Sequence, residues 1–248
     1  MASATQAAVP RRTPLITGPK GLVDRYFYLF ASFVIAAIVV WGFSHTVNQN
    51  LLHASPPRPL LLWFHGAAFS SWVLFFIFQS ALVRTRNVNL HRFFGWFGAG
   101  LASAMAVLGF IIAVIMARFD WFTLHAPGTD VFLSVPFGDI LSFSSCVALA
   151  ILWRKKPELH RRLLFIATCC LLAAAFGRFP YVSDHNLFYV CVDAVILLGV
   201  LRDLLVSRSV HRVYRVALPV LIAWQALIMY LYLGAPAWWH TLTSRIVG

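Results

Sequence analysis

Long apolar runs separated by short polar connectors dominate the chain, and seven of them are long enough to predict helices. The pattern predicts helices over 25–44, 60–83, 93–117, 137–153, 163–179, 187–201 and 216–235, with residues 1–24 as a flexible polar tail. The stretch from Leu60 to Gly98 organises the rest. Between Leu60 and Val83 the one ionisable side chain is His65, and the run can cross a hydrocarbon core of about 30 Å as a helix. His65, Trp72 and Gln79 recur every seven residues, so they lie within roughly 40° of one another around that helix and face a packed neighbour. On the following helix, Gly95, Gly98, Ala102 and Gly109 form a small-residue stripe that permits close approach.

Charge gives the runs a direction. All lysines and arginines except Arg58, Arg118, Arg178 and Arg245 fall in the tail and the second, fourth and sixth connectors. The positive-inside rule then puts the N-terminus in the cytoplasm and the C-terminus outside. The expected fold is an all-α integral membrane bundle of seven transmembrane helices, one domain over 25–248, in a bacterial cytoplasmic membrane. Each cytoplasmic connector closes on a His-Arg pair (His91-Arg92, His160-Arg161, His211-Arg212), which points to three related hairpins preceded by one extra helix.

Composition agrees with this class: 60% of the 248 residues are hydrophobic and 11% charged. The net charge of +12 is dispersed over short connectors, leaving no continuous basic face for a nucleic acid. Anionic lipid is the expected counter-charge. Cys146, Cys169, Cys170 and Cys191 lie in apolar runs without C-x-x-C spacing and read as small apolar residues. The first apolar run is too long for a cleavable signal peptide.

Ionisable groups inside membrane spans cost about 2.5–3.5 kcal/mol each at the centre on insertion scales, so they mark candidate sites. His65, Asp139, Arg178 and Asp193 are such groups, all expected at one depth in the outer half. Together they would form a neutralised polar site, with Arg178 paired to one aspartate and His65 donating to the other; the bland alternative is a structural network. The His-Arg pairs at helix starts suit anions, or serve as ordinary positive-inside anchors. No H-E-x-x-H and no i, i+4 histidine pair supports a zinc site, and the last helix lacks both the lysine of a retinal Schiff base and any histidine.

The order His65, Trp72, Gln79, Leu82-Val83-Arg84, His91-Arg92, Gly95, then Pro157, His160-Arg161-Arg162-Leu163-Leu164 and Arg178 resembles a group of uncharacterised bacterial multi-pass membrane proteins. More distantly, histidines on successive central helices resemble cytochrome b561-like proteins, which hold two b-type haems among four helices. That resemblance implies His91 and His160 as axial ligands of an inner haem, while the outer position has His65 opposite Asp139 rather than a second histidine. The expected function is an outer-half site binding a small ligand or cofactor, in a redox role with haem or quinone. The alternatives are a proton-linked transporter using Asp139 and Asp193, and a membrane assembly factor without catalytic activity.

Overall fold

The computed structural model describes residues 19–248, and these residues are helical without strands. The tail expected over 1–24 lies outside the described residues up to residue 18, and residues 19–24 belong to the first helix. The helices are α1 (Pro19–Ser44), α2 (Leu61–Arg84), α3 (Val88–Phe122), α4 (Ser134–Leu152), α5 (Pro157–Cys170), α6 (Ala173–Phe176), α7 (Pro180–Asp184), α8 (Phe188–Ser207), α9 (Arg212–Leu233) and α10 (Ala237–Val247). Six segments are long and apolar enough to cross a membrane: α1, α2, α3, α4 with the turn before it, α5 continued through α6, and α9. The expected fifth helix over 163–179 is thus two pieces. At Leu172 and Ala175 the backbone tightens to bonds three residues back, on Cys169 and Leu172.

α8 is the main departure. The expected helix over 187–201 continues to Ser207, which brings Arg202 and Asp203 into its last turns. Polar residues after an apolar run resemble the start of a loop, but here each has a buried partner.

α5 is the central helix: Phe165, Ile166, Ala167 and Cys169 are fully buried, with α4, α8 and α9 packed around it. Glycines set the closest approaches. A Cβ on Gly138 would lie 2.2 Å from Ile228 of α9, and one on Gly109 would lie 2.5 Å from Ile140 of α4. Gly98 is similarly closed by Phe75, whereas Gly95 meets nothing within 4 Å, so the small-residue stripe on α3 is used only in part.

Contacts at the two ends show alternating helix directions. At the basic end, the start of α1 meets the ends of α2 and α8 through Tyr26–Arg84 and Asp24–Arg202 contacts. At the opposite end, Arg58 pairs with Asp120 at the end of α3, and Arg178 reaches Thr46 after α1.

Candidate functional site

A cavity of about 610 Å³ opens at the end opposite the basic connectors, between the start of α2, the last turns of α3, the 127–133 segment, the start of α4 and the end of α9. This is the size range of small-molecule sites. Its walls are mainly apolar, with Phe69, Ile112, Met116, Phe132, Leu171 and Tyr232 among them. His65, Asp120, Thr129 and Asp139 supply most of the polarity.

Local sequence explains the placement. Pro136 sits in the first turn of α4, where a missing N–H costs no helical bond, and carries the chain into the helix just ahead of Asp139. Gly138 lets α9 come close, where the Trp224 indole donates to the Gly138 carbonyl at 3.3 Å and Ser134 donates to the Ile228 carbonyl at 3.2 Å. Asp139 therefore enters the cavity from a turn of α4 that is tied to α9 by two hydrogen bonds. The 127–133 wall is held by α10: Trp239 donates to the Val131 carbonyl at 3.1 Å, while buried Asp130 accepts from Thr243 at 3.2 Å and meets His240 at 2.6 Å. Nothing in the hydropathy pattern pointed to α10, because its 11 residues are too few to cross a bilayer and its polar face resembles a tail.

Of the expected outer cluster, the structure brings His65 and Asp139 to the cavity and leaves Arg178 and Asp193 off it. Arg178 does not neutralise an aspartate. Its guanidinium donates to Thr46 at 3.0 Å and to the Ala174 carbonyl, and lies 4.0 Å from the centre of the Phe43 ring. Helix depth alone could not show this, since the side chain turns towards α1. Asp139 accepts instead from the Tyr189 hydroxyl at 2.9 Å, and Asp193 from the Gln225 amide at 3.1 Å. Asp139, Tyr189 and Gln225 also line a smaller void behind the main cavity. A polar seam thus runs from the cavity through Asp139 and Tyr189 to Gln225 and Asp193.

Two residues of the wall carry polar atoms that, among the described residues, have no partner and are packed away from the open chamber. His65 Nδ1 and Thr129 Oγ1 are buried without a partner, and both residues line the cavity. The His65 ring stacks on Phe69 with centres 4.1 Å apart, which fixes its orientation. Elsewhere on the stripe of sevens, Trp72 is buried and donates to Thr168 at 3.3 Å, while the Gln79 amide is buried without a partner.

At the basic end, His91 and His160 meet with ring centres 6.2 Å apart. His160 Nδ1 donates to the Ala150 carbonyl at 2.9 Å, leaving Nε2 with its lone pair, the usual arrangement of a metal-bound histidine. A porphyrin also needs a slot of its own size, and neither the cavity nor the void behind it includes His91 or His160. The residues offer a ligand pair without the enclosing slot. His211 serves the backbone instead, where its Nδ1 accepts the Val213 N–H at 3.2 Å and caps α9.

Next to the histidine pair lies an ion network that local sequence patterns did not reveal. Arg162 holds Asp203 through two hydrogen bonds, at 2.6 and 3.0 Å, and Glu158 at 2.6 Å. Arg202 bonds Asp203 at 2.7 Å and also pairs with Asp24, and Arg161 pairs with Glu158 at 2.7 Å. Three acids and three arginines balance. One signal was available: Asp24, Glu158 and Asp203 are the acids that fall on the strongly basic side.

No protein-family model matches this chain, and neither a characterised protein nor a solved structure matches it.

Proposed function

We propose that the chain is a seven-span protein of the bacterial cytoplasmic membrane, N-terminus inside and C-terminus outside, whose outer-half cavity binds a small ligand. α8 supplies the seventh span in this reading. Its 20 residues extend about 30 Å. The charges that set it apart from the other six are matched, Arg202 and Asp203 by the ion network and Asp193 by Gln225. The concentration of basic residues at one end supports the orientation. A reporter after Gly248 would then be periplasmic and one inserted between residues 154 and 160 cytoplasmic; the reverse result would overturn the topology.

The observation that carries ligand binding is the cavity itself: an apolar chamber of small-molecule size with the Asp139 carboxyl group in its wall. Native mass spectrometry of protein extracted from its own membrane tests this. Wild type should carry a small molecule that Ala113→Trp, which fills the chamber, loses. Identical bound species in both would contradict the reading.

Binding is favoured over proton-linked transport because the seam of polar residues, among those described, ends at Asp193 and does not join the network at the basic end. A haem role rests on His91 and His160 alone; protein made with ample haem should show no Soret band, and a band removed by His91→Ala or His160→Ala would reinstate it.

A further inference from the structure

The cavity is selective in sign. Among the described residues, its charged lining groups are the two aspartates, with no lysine or arginine on its walls. Asp120 is already paired with Arg58 at 2.9 Å. Asp139 has only the Tyr189 hydroxyl on Oδ1 and, among the described residues, no cation within ion-pair distance. An ionised carboxylate with no counter-charge in an apolar chamber is costly and gives way to the neutral acid, whereas a ligand that brings a positive charge stabilises the ionised form as an ion pair. Aromatic rings flank the same space: Phe132 and Tyr232 meet edge to face with centres 5.2 Å apart, and Phe69 lies under His65. Ring faces attract organic cations, Tyr and Phe included, and the aliphatic walls of Ile112, Met116 and Leu171 take an apolar body.

We propose that this cavity binds small hydrophobic organic cations, with a protonated amine on Asp139 and an aromatic or aliphatic body against Phe69, Phe132 and Tyr232. The proposal rests on the ligand-binding reading above and adds the chemical class. An anion would face Asp139 without a counter-charge, the Asp120 charge being balanced by Arg58, and is rejected. A neutral ligand gains the apolar walls but leaves Asp139 uncompensated.

The test uses three probes of nearly equal shape: phenethylamine, phenylethanol and phenylacetate. Saturable binding of each is measured by equilibrium dialysis against the full chain in lipid nanodiscs, with empty nanodiscs subtracted. Phenethylamine should bind at least about tenfold more tightly than phenylethanol, and phenylacetate should not bind. Asp139→Asn should remove the preference for the amine, while Asp193→Asn, off the cavity, should retain it. Should Asp139→Asn fail to fold, Ala113→Trp serves instead, since it leaves Asp139 in place and should abolish amine binding. Equal binding of amine and alcohol, or amine binding that survives both Asp139→Asn and Ala113→Trp, would overturn the proposal. Equal binding that Ala113→Trp removes would overturn the ligand class alone and leave the cavity as a binding site. No saturable binding of phenethylamine would also overturn the class, whereas the ligand-binding reading stands or falls on the native mass comparison.

Discussion

Replacing Asp203 by asparagine is the sharpest test of what holds the bundle together. The carboxylate is fully buried and accepts from Arg162 Nε at 3.0 Å, Arg162 Nη2 at 2.6 Å, Arg202 Nη1 at 2.7 Å and the His211 backbone N–H at 3.3 Å. Both guanidiniums are 2% exposed. Losing the charge leaves them to Glu158 and Asp24, whose side chains are 55% and 37% exposed and therefore partly screened. Removing one partner of a buried pair costs about 3–5 kcal/mol. The surviving outer partners offset part of this, so about 3 kcal/mol is expected for Asp203→Asn. Asp184→Asn, an exposed acid on α7, should stay within about 0.5 kcal/mol of wild type. Unfolding in mixed micelles by added denaturing detergent, followed by tryptophan fluorescence, measures both. The double change Arg162→Met with Asp203→Leu should recover only part of the loss, because it removes the stranded Arg162 but still leaves buried Arg202 to Asp24 alone. A loss for Asp203→Asn within about 1 kcal/mol of Asp184→Asn would refute the claim that this network is buried and coupled.

Gly138→Val should cost at least about 1–3 kcal/mol through overpacking against Ile228, while Gly95→Ala should be neutral or slightly stabilising; the same unfolding assay compares them. His211→Ala should lose the cap of α9, about 1 kcal/mol, and His211→Asn should restore most of it. Burial, with Arg162 nearby, holds His211 below the usual imidazole range, so the unfolded chain takes up its proton first and the folded state loses stability as pH falls through about 6.5. The melting temperature of wild type should therefore drop more between neutral pH and pH about 5 than that of His211→Asn. Arg178→Ala should cost about 1–3 kcal/mol through lost bonds to Thr46 and the Ala174 carbonyl and lost stacking on Phe43, whereas Arg118→Ala, an exposed residue, should change little.

The sequence showed most of what depends on periodicity. Helix positions follow the apolar runs, and His65 and Trp72, spaced by seven, face the bundle interior because an α-helix returns to nearly the same face after two turns. The meeting of His91 and His160 also follows from their matching positions at two helix starts. Pairing between helices was not legible. Arg178 and the aspartates share a depth, but depth does not specify the direction around a helix axis, and Arg178 points to Thr46. Asp203 looks like a loop residue in the sequence because its burial depends on Arg162, 41 positions earlier, which no local pattern reveals. The cavity was anticipated through His65 and Asp139, yet Thr129 and Asp120 entered it from segments that looked like ordinary connectors. α10 shapes one wall through Asp130 and Val131, a long-range docking that an amphipathic stretch of this length does not announce.

The chamber beside His65 and Asp139 is the proposed ligand site, and an experimental density map of the protein in nanodiscs made from its own membrane would reveal its occupant. A compact non-protein feature is expected in the chamber, in contact with Asp139 and with His65, and Ala113→Trp should remove it. A chamber closed by Phe132 and Tyr232, or filled only by a lipid acyl chain that contacts neither His65 nor Asp139, would contradict it.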